Sequence, residues 1–394
     1  MELRKKTASL IFALLISSKL LILLMARYGI LPFSPGIFVM GLIALLLIVY
    51  NIFFHGKLYK SVAGFTCYIA LFFLITNIFS DGHVQELTIS FFQYCIIGLL
   101  VSQIEFDMEQ VSKIVSYILL IVFYPTYLLV MKDLTRTWQA VVTMEICYAL
   151  LPMLAMVIIR AVYFRNTRNV ITFISFCASL LLLVLVTIKG TRGVLACLLV
   201  LVILMALNSE KRRIKQIKTS RIVLLLIGIV LLMNIDILLV QLNTFANSIG
   251  LSINILEKSA RLLAAGDVSN GRMDHYIIAL KDFLQSPVYG NGIGVFFDRY
   301  PTMGYPHNII CQVLFEGGLL LGVPIIYLII KAFNATFFEF IQEKDSRICI
   351  IFLFSVSVPA AMLSSELWVY PLLWMMFGCL LSKSYTILEF REKE

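Results

Sequence analysis

The stretch GIFVMGLIALLLIVYNIFF, residues 36–54, runs through nineteen positions without a charged side chain. About 20 apolar residues in a helix cross the ~30 Å of hydrocarbon in a bilayer. Lipid offers the backbone no hydrogen-bond partner, so such a run must satisfy itself as a helix. Read outward on the same rule, the chain gives about twelve spans: 8–26, 36–54, 61–79, 87–104, 111–131, 138–159, 169–188, 192–207, 221–241, 308–330, 347–364 and 367–382. The expected fold is all-α, a polytopic transmembrane helix bundle forming a single integral membrane domain over residues 1–394.

Composition points the same way. Hydrophobic residues make up 60% of the chain and charged residues 14%, against about 45–50% and ~25% in soluble domains. Lipid must therefore be the solvent for much of the apolar surface. The net charge of +9 lies in short clusters between apolar runs. That distribution is not a basic face with interleaved aromatics, and it argues against a nucleic-acid partner. All eight cysteines lie inside apolar runs, without CxxC or a neighbouring His pair. They read as packing residues, not as a disulfide framework or a metal site. The N-terminal segment imitates a signal peptide, but Lys19 interrupts the run, apolarity resumes to Met25, and no A-x-A site follows. It reads as an uncleaved first span.

Lys and Arg set the orientation. With the N-terminus inside, the inner segments hold Arg4, Lys5, Lys6, Arg160, the cluster Lys211 to Arg221 and the basic C-terminus. The short outer loops hold only Arg27, Lys132, Arg136, Lys189 and Arg192. The topology is N-in/C-in, with Trp138 and Trp368 expected at the outer interface. One connection is not short: residues 242–307, between spans nine and ten, form one large extracytoplasmic loop. Loops longer than about 15 residues are usually functional or disordered. Within it, Asp274–Gln285 places Tyr276, Ala279, Leu280 and Phe283 on one face, as in a surface helix that lies on the membrane or caps the bundle. An inert packing helix fits that segment equally well.

Four polar groups near the outer face could carry chemistry, because ionisable groups beside spans are costly and usually functional or paired. Lys189-Gly190-Thr191-Arg192 is a short outer turn, where Arg192 either binds a phosphate or snorkels to the headgroups. Asn270-Gly271-Arg272 opens the loop helix, so that Arg272 and the helix N-terminus form an anion site, with Arg261 earlier in the loop; a solvated arginine is the plain alternative. Ser286-Pro287-Val288-Tyr289-Gly290-Asn291-Gly292-Ile293-Gly294 offers alternate glycines for close backbone approach, or a simple turn. It lacks the strand of a dinucleotide fingerprint and the G-K-[ST] end of a P-loop. Pro306-His307-Asn308 is followed by Gln312, Glu316, Gly317, Gly318 and Gly322, and Asn308, Gln312 and Glu316 share one helix face. His307 is either a proton acceptor for an attacking hydroxyl or an interfacial histidine. Glu145, Asp236 and Glu366, near the outer ends of spans six, nine and twelve, either line the same cavity or pair with arginines.

Taken together, these groups resemble the O-antigen polymerase and ligase superfamily (Wzy-type polymerases and WaaL-type ligases). The late loop of that family reads Gly-Arg, an amphipathic stretch, Ser-Pro-x-x-Gly-x-Gly, then His-Asn and Glu-x-Gly. Here these are Gly271-Arg272, Ser286-Pro287, Gly290, Gly292, His307-Asn308 and Glu316-Gly317-Gly318, and the earlier Thr191-Arg192-Gly193 matches a Ser/Thr-Arg-Gly at the head of a span. The likeness covers roughly residues 189–331. It implies a membrane glycosyltransferase of the bacterial cytoplasmic (inner) membrane, with its active site facing the extracytoplasmic side. The donor it implies is an undecaprenyl-diphosphate-linked oligosaccharide, with no cofactor and no metal.

By the same likeness, His307 is the general base and Arg192 and Arg272 hold the diphosphate. Arg261, Gly290, Gly292, Asn308 and Glu316 are the expected substrate-binding residues. The short separation of Gly292 from His307 favours a repeat-unit polymerase of O-antigen, capsule or exopolysaccharide over an O-antigen ligase acting on lipid A-core. A lipid-linked glycan flippase is the alternative outside the enzymes, and a chain-length regulator stays open as a partner besides the lipid bilayer.

Overall fold

The structure is a computed structural model. It describes residues 2–31, 34–54, 56, 58–79, 82–134, 140–164, 170–189, 192–208, 235–248, 254–264, 271–338, 341 and 343–382. Among these residues the regular structure is helical and no strand occurs. In chain order the helices are α1 (Glu2–Tyr28), α2 (Pro35–Phe54), α3 (Lys60–Phe79), α4 (His83–Val101), α5 (Met108–Leu134), α6 (Ala140–Tyr163), α7 (Val170–Lys189) and α8 (Arg192–Leu207). They continue with α9 (Ile235–Ser248), α10 (Asn254–Ala264), α11 (Arg272–Gln285), the single turn α12 (Val295–Arg299), α13 (Ile309–Phe337), α14 (Lys344–Leu363) and α15 (Pro371–Leu381).

Eight of them, α1 to α6 with α13 and α14, are long and apolar enough to cross a membrane. Shorter apolar helices occupy Val170–Val184, Gly193–Leu207 and Pro371–Leu381. The protein is a polytopic helical bundle. Most of the expected ninth span falls on residues outside the described ones, and only its end is seen, as the start of α9.

The helices assemble into two compact units: Met1–Ile11 with Met40–Asp107 and Arg272–Glu394, and Phe12–Val39 with Met108–Gly271. In the second unit Arg160, expected in an inner loop, is instead 3% exposed. Its guanidinium donates to the Glu109 carbonyl at 3.3 Å, to Ser112 Oγ at 3.2 Å and to Thr172 Oγ1 at 3.2 Å, so it ties α5 to α7. A buried cation is tolerable when its donors are spent in this way.

The first unit is organised around a break in α13. Gly318, in mid-helix, adopts φ 59° and ψ −150°, a region essentially reserved for glycine. The break frees main-chain groups that hydrocarbon cannot satisfy, and the 286–294 segment supplies their partners. Asn291 N donates to the Phe315 carbonyl at 2.7 Å and Gly292 N to the Glu316 carbonyl at 2.8 Å. In return Leu319 N donates to Pro287 O at 2.8 Å and Leu320 N to Val288 O at 3.2 Å.

Such backbone contact leaves no room for side chains. A Cβ on Gly290 would come 2.5 Å from the amide nitrogens of Gly317 and Gly318. One on Gly318 would fall on the Val288 carbonyl.

Beside the break lies a buried aromatic core. Trp368 and Trp374 are both 0% exposed, with ring centroids 5.6 Å apart, and Phe73 meets Trp368 edge-on at 4.8 Å. Trp368 was expected at the lipid interface. It turns inward because a buried carboxyl, that of Glu316, takes its indole N–H at 2.8 Å. Trp138 lies outside the described residues.

Gly318→Ala is expected to destabilise the fold by about 3 kcal/mol, the sum of a forbidden backbone conformation and a backbone clash. The check is a lowered thermal midpoint of the detergent-solubilised protein. Gly41→Ala, whose added Cβ meets nothing within 4 Å, is the comparison that should stay near the wild-type midpoint.

Candidate active site

α11 begins at Arg272, after Gly271 at φ 79°. Its buried face is carried by Ala279 and Asp282, flanked by the partly buried Tyr276. Leu280, expected on that face, is 41% exposed. The face packs on Phe296, Cys311 and Phe315, which fixes α11 against the first half of α13. Asp282 completes the brace: its carboxyl accepts from Arg299 Nη1 at 2.7 Å and from the Tyr300 hydroxyl at 3.0 Å.

His307 stands at the mouth of α13. It is the one described non-glycine residue with positive φ, at 55°. The next residue, Asn308, caps the helix by accepting from Ile310 N at 2.9 Å and from Cys311 N at 3.2 Å. The Tyr305 ring lies 4.1 Å from the His307 ring and the His275 ring 5.4 Å from it, centroid to centroid. Among the described residues neither ring nitrogen of His307 takes a hydrogen bond, and Nδ1 is fully buried. Burial first, then the charge of Arg272, then His275, push its pKa down from 6.5 to about 4. At neutral pH the imidazole is uncharged and free to accept a proton.

Arg272 donates from Nη2 to Ser364 Oγ at 3.0 Å, which uses one of its five N–H donors. The Tyr305 hydroxyl donates to the Ser364 carbonyl. Arg272 and the His307 turn are therefore both fastened to the 364–370 strap between α14 and α15. Glu366 lies on that strap, and burial raises its pKa to about 7.

The other expected site residues divide clearly. Gly290 and Gly292 lie against backbone at the α13 break. Glu316 is 3% exposed, and its carboxyl is held by Trp368 Nε1, by Gln312 Nε2 at 3.2 Å and by Gly294 N at 3.4 Å. Gln312 in turn accepts from Leu367 N at 3.2 Å. Arg192 is the first residue of α8 and Arg261 an exposed residue of α10, both in the other unit. Glu145 is half exposed and stands 3.8 Å from Arg27; Asp236 lies in the first turn of α9. Among the described residues no group of three or more His, Cys, Asp or Glu converges as a metal site requires.

Sequence reasoning did not single out His275, Tyr305 or Ser364. His275 had a signal, since it follows Arg272 by one helical turn. Ser364 had none.

In this polytopic helical protein, an arginine and a neutral imidazole beside the start of α13 form an arrangement that can bind an anionic group and take up a proton. Residues 176–326 match the family described as O-antigen ligase, a match that supports the likeness to the O-antigen polymerase and ligase superfamily, whose members are membrane glycosyltransferase-like enzymes. The matched segment contains the α13 break, Arg272 and His307. No curated protein matches the chain.

The depressed pKa of His307 has a consequence for folding. Between pH 6.5 and about 4 the unfolded chain binds a proton that folded His307 refuses, so this group removes stability as the pH falls through that window. His307→Gln is expected to show a shallower fall in thermal midpoint from pH 6.5 to 4 than the wild type, and the same midpoint slope above pH 7.

Proposed function

We propose that the protein is a repeat-unit polymerase of a bacterial surface polysaccharide. It crosses the cytoplasmic membrane about twelve times with both termini inside, and its site faces the extracytoplasmic side. The donor is a glycan on undecaprenyl diphosphate and the acceptor is a sugar hydroxyl.

His307 takes the hydroxyl proton as the oxygen attacks the anomeric carbon of the donor. The bond from that carbon to the diphosphate breaks, and undecaprenyl diphosphate leaves with the electron pair. Arg272 holds the leaving diphosphate and its growing charge; the family likeness alone gives Arg192, within Thr191-Arg192-Gly193, a phosphate-binding role. Arg261 contributes charge from the loop. Asn308, Glu316, Gly290 and Gly292 act at one remove, by fixing the turn and the broken helix that carry His307. The observation supporting this reading is the approach of Arg272 and a neutral His307 within the matched segment.

In proteoliposomes supplied with undecaprenyl-diphosphate-linked oligosaccharide, His307→Ala and Arg272→Ala should each cost at least about a hundredfold in transfer rate, as loss of a general base or a transition-state cation does. Normal polymer formation by both variants at normal expression would reject the site.

The match to the family described as O-antigen ligase favours a ligase as the second reading. A deletion strain separates the two. Single-repeat glycan on lipid A marks a polymerase, whereas long chains left unattached on undecaprenyl diphosphate mark a ligase and overturn the proposal.

A further inference from the structure

A second imidazole lies beside the first. His275 is one turn along α11 from Arg272, and its Nδ1 is 3.3 Å from the main-chain oxygen of Tyr305. A carbonyl oxygen only accepts, so the ring nitrogen facing it carries the proton. When neutral, His275 is therefore the Nδ1–H tautomer.

The oxygen it holds lies two residues before His307, whose left-handed backbone is unusual for a side chain larger than glycine. Such a conformation persists only where the surroundings over-determine it. Among the described residues, these fastenings of the turn are seen. The Tyr305 hydroxyl is tied to the Ser364 carbonyl, the Asn308 side chain is tied to the first turn of α13, and the Tyr305 carbonyl is tied to His275. Pro306, between the last two, has a fixed φ and no N–H to offer. Of the three, the His275 contact is the one that grips the backbone of the turn itself from another element. Because α11 also carries Arg272, the same helix that sets the cation sets the turn.

We propose that His275 is a positioning residue for His307, its Nδ1–H clamping the Tyr305 carbonyl and thereby holding the His307 ring in place for the acceptor hydroxyl. The inference rests on the reading of His307 as the base. It assigns His275 no contact with substrate.

The atom that matters is the δ donor, and this makes the idea testable by side-chain shape. His275→Asn keeps an N–H donor at the δ position, His275→Gln moves it one bond further out, and His275→Ala removes it. Two measurements on the purified full-length protein are needed. One is steady-state transfer in proteoliposomes with lipid-diphosphate-linked oligosaccharide. The other is the rate at which diethyl pyrocarbonate modifies His307 in the resting protein, read by mass spectrometry.

The Ala and Gln variants are expected to lose about 10- to 50-fold in kcat, as a displaced catalytic group does, with KM for the donor within about twofold. Their His307 should react at least about threefold faster, because the turn opens more often. His275→Asn should restore most of both values. Equal behaviour of Asn and Ala in both measurements, with thermal midpoints unchanged, overturns the clamp, as does wild-type behaviour of all three. The modification assay needs no turnover. If His307→Ala is fully active while the Asn and Gln variants still differ in His307 reactivity, the clamp stands and the assignment of His307 as base falls.

Discussion

A membrane-spanning helix cannot open its backbone to lipid without penalty, since each unsatisfied group in hydrocarbon costs several kcal/mol. Yet α13 does open, at Gly318, in the middle of an apolar run. The opening survives because Asn291, Gly292, Leu319 and Leu320 exchange main-chain hydrogen bonds across the gap. The exchange works in both directions: the helix accepts two bonds and donates two. The 286–294 segment is therefore not a free loop but a part inserted into the span. Whatever precedes and follows it in sequence must lie close to α13, and α11 and α12 do, packing on Phe315 and Cys311. The place of Arg272 near His307 follows from this repair.

The repair also explains why a carboxyl is buried there. Glu316 lies one residue before the paired glycines, and its side chain collects the N–H of Trp368, the amide of Gln312 and the backbone of Gly294. Gln312 receives Leu367 N as well. One polar stripe of α13 thus gathers the inserted loop and the 364–370 strap onto the same helix, and the strap then meets Arg272 and Tyr305 through Ser364. A cluster of this kind is costly if half satisfied and rigid if complete. Here the rigidity lands on the turn that presents His307.

Much of this was legible from residue types. The apolar runs fixed which segments are helices, because length and the absence of charge leave a segment in lipid no other choice. The four-residue recurrence of Asn308, Gln312 and Glu316 marked the face of α13 that looks into protein, where Gln312 and Glu316 are buried. What residue types did not disclose was the partner of each glycine. Gly290 in a loop and Gly318 in a span are 28 positions apart, and nothing local says that their backbones touch. Nor does an indole near a span end announce that it will turn inward: Trp368 does so only because Glu316 is waiting, which is a tertiary fact. Ser364 reads as an ordinary helix end for the same reason. Helices and buried faces follow from local residue patterns, whereas contacts in which one segment completes another do not.

The distribution of charge argues for an imidazole, and against a carboxylate, as the group beside Arg272. A carboxylate there would pair with the guanidinium and repel an arriving diphosphate, so the cation would be spent before the substrate came. Three carboxyls of this unit are committed elsewhere: Glu316 to Trp368 and Gln312, Asp282 to Arg299 and Tyr300, and Asp298 to the His83 amide. A neutral imidazole leaves the positive charge of Arg272 intact. Burial first, and that charge second, keep the imidazole unprotonated in return. In the proposed reaction an anion bound at Arg272 cancels part of the field that suppresses proton binding at His307. The base then grows stronger at the moment a donor is in place, and in the empty site it stays neutral without holding the cation captive.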